Sequence, residues 1–276
     1  MNAWYSVAGQ LPFDWAQLVF MQNALLAVLL IAPLFALLGC MVINNQMAFF
    51  SDAMGHSALA GLAIGTLLGL RDPTGSVVLF AVALALVIFL LRRYSAVPPD
   101  TVIALVMAFV VALGVVLLSR GGGFRKYTGY LIGDILTITP GEIGRVAALL
   151  VVVAAAWLLA FNAMTLVSLN RSLAQSRGVA VRRIEVLFAV LVAIVVAVSI
   201  SWVGLLVINS LLVLPAAAAR NLARNTRSYI LGAILISLLS GLLGLICSYY
   251  WDTATGGTIV LWATGFFVAS LLLRRR

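Results

Sequence analysis

Nine apolar runs of about 20 residues each follow one another along almost the whole chain. An α-helix needs about 20 apolar residues to cross the roughly 30 Å hydrocarbon core of a membrane. Each run therefore predicts one transmembrane helix, although the short runs and the close succession of two of them leave eight or ten spans open. The predicted spans are approximately residues 18–39, 44–69, 75–92, 101–118, 144–161, 182–200, 203–219, 229–248 and 256–273.

The composition excludes an ordinary water-soluble domain. Hydrophobic residues make up 64% of the 276 positions, charged residues only 9%, and the mean hydropathy is +1.19. Soluble domains average about 25% charged residues. Without a composition break or a low-complexity tract, the chain is predicted to form a single transmembrane domain over residues 1–276, an all-α polytopic helix bundle.

The arginines predict which helix ends face the cytoplasm, because cytoplasmic loops of membrane proteins carry an excess of Arg and Lys. Basic residues are concentrated at 171–183, 220–227 and 274–276, and Arg92 and Arg93 fall on the same side. Nine spans then place the N-terminal segment, which contains no basic residue, outside the cell.

The loop between residues 120 and 145 departs from this scheme, since it holds Arg125 and Lys126 on the predicted outer side. It is rich in glycine, and we interpret it as a re-entrant or irregular segment in which Pro140 stops a helix. Two acids of this loop either line an outer entrance or only hydrogen-bond the loop itself: Asp134 and Glu142.

The sequence lacks the motifs of several classes of enzyme. The sequence contains no G-x-x-x-x-G-K-[ST] phosphate loop, no G-x-S-x-G elbow and no H-E-x-x-H pair, and it has a single histidine. The chain is therefore not predicted to hydrolyse ATP or to act as another enzyme. Transport is the default function of a polytopic bundle with buried ionisable residues.

The segment from Ser51 to Gly69 carries the most specific polar signal. Asp52 and His56 are four residues apart, so a helix presents them on one face with β-carbons about 5–6 Å apart. A carboxylate and an imidazole are both metal ligands. Small residues recur every fourth position beside them and predict a groove for close helix packing: Ala53, Ser57, Gly61, Gly65 and Gly69.

A closed tetrahedral metal site needs about four ligands, and this helix supplies only Asp52 and His56. A two-fold dimer presents the same patch twice, so a second copy brought into register by the small residues would complete the set. The alternative is that Ser51 or Asp52 caps a helix that begins near Ala53, with His56 a satisfied core residue.

Three segments, in order, resemble the integral membrane permease of ATP-binding-cassette (ABC) importers for zinc, manganese or iron(II). They are NQMAFFSDAMGHSALAGLAIG from Asn45, YLIGDILTITPGEI, and VGLLVINSLLVLPAAAARNLARN. The block SDAMGHSALAG is the most specific part. One departure is INNQMAFF before it, where relatives often carry arginines.

The resemblance implies a fold like that of type II ABC-importer permeases, in the bacterial cytoplasmic (inner) membrane. Its implied partners are a second copy of the chain, a cytoplasmic ABC ATPase dimer, an extracytoplasmic metal-binding lipoprotein and membrane lipid, with no nucleic acid. No permanently bound cofactor is implied, only a transported divalent metal held transiently.

The resemblance also implies roles for particular residues. Asp52 and His56 would coordinate the cation in transit. The loop from about Leu166 to Arg183 would form a coupling helix that docks on the ATPase, with contacts from Leu173, Ala174, Arg177 and Gly178. Just beyond this loop, and independently of the resemblance, Glu185 lies close to Arg182 in sequence and is predicted to pair with it at the membrane edge.

Two alternatives stay open at this point. A secondary, proton-coupled metal carrier would work without ATPase subunits and would tend to show internal repeats. A permease for metal chelates would belong to the same transporter class. One acid and one histidine do not select among zinc, manganese and iron(II), because the preferences of these metals overlap.

Overall fold

The computed structural model describes residues 2–10, 12–70, 72–120 and 133–273, and every regular element in these ranges is helical. Two are short 3-10 turns, Asp14–Gln17 and Ile135–Thr137. The α-helices are α1 (Asn2–Ala8), α2 (Val19–Asn44), α3 (Ala48–Leu67), α4 (Thr74–Tyr94), α5 (Pro99–Arg120), α6 (Pro140–Leu169), α7 (Arg171–Ser176), α8 (Val181–Val203), α9 (Leu205–Leu222), α10 (Thr226–Trp251) and α11 (Thr255–Leu272).

Within these described ranges, nine helices correspond one to one to the nine predicted spans: α2 to α6 and α8 to α11. Eight of them are long and apolar enough to cross a membrane. The ninth, α3, is less apolar because it carries the SDAMGH segment, but its 20 residues still extend over about 30 Å. The predicted all-helical polytopic fold is confirmed.

Gly204 explains why two spans follow each other almost without a loop. It separates α8 from α9 with φ 82° and ψ 153°. This backbone conformation is accessible to glycine at no steric cost, whereas a side chain would clash there. One residue is therefore enough to end one long helix and start the next.

The structure corrects the prediction for Pro140. This residue does not stop a helix but is the first residue of α6, where its missing N–H costs no hydrogen bond. Thr139 and Glu142 cap the N-terminus of this helix. The amide of Thr139 donates to Glu142 Oε2 at 2.8 Å, and the amide of Glu142 donates to Thr139 Oγ1 at 3.4 Å. Such a capping box satisfies backbone donors that have no partner inside the helix.

The predicted irregular segment lies partly at residues 121–132, outside the described residues, as do Arg125 and Lys126. Its described end confirms the irregular backbone before α6. Asp134 accepts a hydrogen bond from the amide of Leu136 at 3.0 Å and so holds the 3-10 turn that follows it. Both acids of the loop, Asp134 and Glu142, therefore bind nearby backbone.

The chain divides into two compact units. The first consists of Met1–Cys40, Gly133–Ala155 and Trp202–Arg276. In its interior, α10 packs against α9 and α11. Ser237 of α10 donates to the carbonyl of Ala32 at 3.0 Å, which joins α10 to α2. The single transmembrane domain predicted for residues 1–276 stays a prediction.

The second unit, Met41–Ile132 and Ala156–Ser201, is built around α3, which packs against α4 and α5. A β-carbon added at Gly61 would lie 2.7 Å from Val77 Cα of α4, and the Ser76 hydroxyl donates to the Gly61 carbonyl at 2.9 Å. A β-carbon at Gly65 would also clash with Ser76. The predicted groove is therefore real, but at these glycines α4 of the same chain fills it, so the glycines do not align a second copy.

Candidate functional site

Asp52 and His56 lie one turn apart on α3, as their spacing predicts. Their immediate neighbours Ser51, Ala53 and Ser57 are fully buried, because the small side chains let other helices approach. The side chains of Asp52 and His56 are 32% and 28% exposed. The pair is thus a partly exposed polar edge of a helix most of whose residues are buried.

The distance between the two side chains suits a shared ligand. Asp52 Oδ1 and His56 Nε2 are 3.7 Å apart, which is longer than a hydrogen bond. Two ligand atoms bound at about 2.1 Å to a tetrahedral metal lie about 3.4 Å from each other. A small adjustment of either side chain would therefore bring both atoms onto one cation.

His56 is not the satisfied core residue of the capping alternative. Its Nδ1 atom is buried and finds no hydrogen-bond partner in the described part of the chain. The helix also begins earlier than that alternative requires, since α3 starts at Ala48 and its N-cap is Met47. Asp52 is therefore inside the helix, and its carboxylate is not the N-cap of α3.

One chain does not complete a metal site by itself. Across residues 2–10, 12–70, 72–120 and 133–273, no three His, Cys, Asp or Glu side chains come together in a way that could hold a metal ion. The Asp52–His56 pair consequently offers two protein ligands, one oxygen and one nitrogen.

The loop predicted to couple to an ATPase folds as the short helix α7. Asn170 begins it by accepting a hydrogen bond from the amide of Leu173 at 3.0 Å. Ala174 is fully buried, in a cluster with Val167 and Val181, while Leu173 is 44% exposed. The helix is therefore fixed at Ala174 and presents Leu173 to the surroundings.

Gly178 lies in the turn between α7 and α8 and has φ 75°, a left-handed conformation that favours glycine. The amide of Val179 donates to the carbonyl of Ala174 at 3.0 Å across this turn, as is common after a helix C-terminus. Arg177 and Gly178 are both exposed. Of the predicted coupling residues, Ala174 alone faces inward.

The predicted pair between Glu185 and Arg182 is wrong. Glu185 instead forms an ion pair with Arg171 at the start of α7, and Arg182 is exposed. Closeness in sequence suggested Arg182, but the turn at Gly178 folds α7 back so that its first residue reaches α8. The ion pair therefore joins the short helix to a long one.

A polar cluster near the start of α2 was not predicted. Gln22 and Asn23 are buried amides: Gln22 donates to the carbonyl of Ala16 at 2.6 Å, and the Tyr5 hydroxyl donates to Asn23 Oδ1 at 2.8 Å. Trp4 Nε1 also donates to the carbonyl of Gln22 at 3.0 Å. Two adjacent amides inside an apolar run were the available signal. Their partners show that they hold the N-terminal segment against α2.

Comparison with known proteins gives the family. The ABC 3 transport family matches residues 17–274. The high-affinity zinc uptake system membrane protein ZnuB of Haemophilus influenzae is 32% identical over 254 residues, which cover 92% of this chain and 97% of that protein. The manganese import system permease protein ScaB of Streptococcus parasanguinis is 30% identical over 257 residues, which cover 93% and 91%.

A solved structure agrees with this assignment. PsaBC from Streptococcus pneumoniae, in complex with Fab, matches the chain with a TM-score of 0.82 and 26% identity, covering 98% of this chain and 95% of the matched chain. Membership of a family of ABC transporters excludes the secondary, proton-coupled carrier that the sequence alone had left open. This protein belongs to the ABC 3 transport family, and it is, as its sequence predicts, a multi-pass membrane permease subunit without an ATPase motif of its own.

Proposed function

We propose that this chain is the permease through which an ABC importer moves a divalent transition-metal cation, zinc, manganese or iron(II), into the bacterial cytoplasm. The observation that carries the proposal is the Asp52–His56 pair on the face of α3, with its oxygen and nitrogen 3.7 Å apart. The names of two similar proteins, a zinc uptake protein and a manganese import permease, support the same class of cargo.

The chemistry of the pair suits a dication that crosses a membrane. A cation in a low-dielectric interior is costly unless opposite charges and ligands replace its water. Two copies of the chain would supply two carboxylates, which offset the double charge, and two neutral imidazoles, which add ligands without adding charge. Four protein ligands match the coordination number of about four that zinc prefers.

The imidazole also makes binding depend on pH. A histidine must be neutral to ligate, so protons compete with the metal. Metal occupancy should therefore fall as the pH is lowered. A site built from carboxylates alone would lose its metal only at a lower pH.

Separate ATPase subunits would supply the energy, because this chain has no phosphate loop. We place their docking surface on α7, where Leu173 and Arg177 are exposed and Ala174 anchors the helix from inside. An extracytoplasmic binding protein would deliver the cation at the opposite end. ATP-driven movement of α7 would then open the interface between two copies toward the cytoplasm.

Replacing Leu173 with aspartate tests the docking surface. A charge at an apolar interface anchor is expected to weaken the complex with the ATPase at least about tenfold and to stop metal uptake, while Asp52 and His56 are untouched. Co-purification with the ATPase and uptake in the same cells are the measurements. Leu222→Asp is the matched control, since Leu222 is 46% exposed at the end of a different helix. Equal loss of the ATPase in both variants would contradict the placement.

The transport proposal is tested with the whole transporter in proteoliposomes. Radioactive zinc, manganese and iron(II) are offered one at a time, with ATP or with a non-hydrolysable analogue. We expect ATP-dependent accumulation of at least one free cation. Accumulation with the analogue would contradict the ATP-driven mechanism, and uptake of a metal chelate without uptake of any free cation would replace the proposed cargo.

A further inference from the structure

A cavity of about 880 Å³ lies within the second unit, between the ends of α4, α6 and α8 and beside α7. Residues 44–47, which join α2 to α3, form another of its walls. Its size is in the range of about 300–1,000 Å³ typical of small-molecule sites. The arginines on its walls place it at the end of the helices that the sequence assigns to the cytoplasm. We call it the basic cavity.

The charge of the basic cavity is strongly unbalanced. Glu185 is its one acidic lining residue among those described; it forms an ion pair with Arg171 and also attracts Arg92 from beyond ion-pair distance. The remaining arginines have no carboxylate within ion-pair distance in the described part of the chain. They are Arg92, which is partly buried, and the exposed Arg93 and Arg182.

The arginines are not alone on the cavity wall. Phe89, Met164 and Phe188 line the same space. Guanidinium groups bind phosphate oxygens through paired hydrogen bonds, whereas aromatic and thioether side chains favour hydrocarbon. A soluble anion would contact only the arginines. An amphipathic molecule with a phosphate at one end would contact both the arginines and the apolar side chains.

We propose that the basic cavity binds an anionic phospholipid of the inner leaflet, with its phosphodiester headgroup at Arg92 and Arg182 and its glycerol end against the apolar wall. Basic pockets between transmembrane helices on the cytoplasmic side bind such headgroups in general. The cavity is also lined by Arg171 and Gln175 of α7, so a bound lipid lies directly beside the helix that we assign to ATPase docking.

Native mass spectrometry of the whole purified transporter tests this proposal. The probes are phosphatidylglycerol and phosphatidylcholine, each added to delipidated complex, with and without inorganic phosphate in large excess. We expect phosphatidylglycerol to bind more tightly than the zwitterionic lipid and to resist displacement by phosphate. An arginine near a membrane surface contributes about fivefold to such binding, so Arg92→Gln and Arg182→Gln should each weaken it about fivefold.

Arg227→Gln is the matched control, because Arg227 is an exposed arginine at the start of α10 in the first unit. Arg182→Gln keeps the test valid if the partly buried Arg92 is needed for folding. Equal affinity for the two lipids, or equal weakening by the control, would overturn the proposal. Displacement by phosphate would show a soluble-anion site instead, and binding only after the ATPase is removed would show a protein contact.

Discussion

We expect metal uptake to fall at least about 100-fold when His56 is replaced by alanine, with the transporter still assembled. Loss of a group that only supports a ligand typically costs about 10–100-fold in metal affinity, and removal of a ligand should cost at least as much. In a dimer the substitution removes two ligands at once. Initial rates of radiometal uptake at equal protein level measure the effect.

Asp52→Asn separates charge from shape at the same site. The amide keeps the size of the carboxylate but removes one negative charge from each copy, so a dication would be held without compensating charge. Thr66→Val is the matched control on the same helix, because the Thr66 hydroxyl only donates to the carbonyl of Ala63 at 2.9 Å. We expect normal uptake for the control. Normal uptake by both His56→Ala and Asp52→Asn would mean that the cation takes another route.

Gly61→Leu is expected to prevent stable folding of the second unit. Leucine is a better helix former than glycine, so the substitution does not lower the intrinsic helix propensity of α3. The clash is with backbone: the new β-carbon would lie 2.7 Å from Val77 Cα, and no change of rotamer relieves such a contact. Overpacking with flexible neighbours costs about 1–3 kcal/mol, and a backbone contact should reach or exceed the upper end.

Gly75→Leu is the matched control for this prediction. It introduces the same side chain two residues before Val77, at a position where a β-carbon would meet nothing within 4 Å. Thermal unfolding in detergent and the fraction of monodisperse protein are the measurements. We expect near-normal stability for the control and loss of the monodisperse fraction for Gly61→Leu. Equal stability of the two variants would show that α3 and α4 are packed less closely than described.

The sequence alone was sufficient to predict the helices and to place Asp52 and His56 on one helix face. Both depend on short-range physics: apolar length decides which segments cross a membrane, and the 3.6-residue period places residues 52 and 56 on one side. The family followed from motifs in a fixed order, which also needs no three-dimensional information. The predicted ends of the helices were less accurate, since α6 extends to Leu169 while the predicted span stops at residue 161.

Only the tertiary structure decided how these elements use their surfaces. Spacing could not tell whether the small residues of α3 face a second copy or α4, because either helix backbone fits the same groove. Nor could it tell that Glu185 pairs with Arg171 rather than Arg182, since the turn at Gly178 brings together residues that are 14 apart in sequence. The basic cavity likewise exists only where five separate segments meet. Local pattern determines which helix forms and which side is polar, while long-range contacts decide what each side touches.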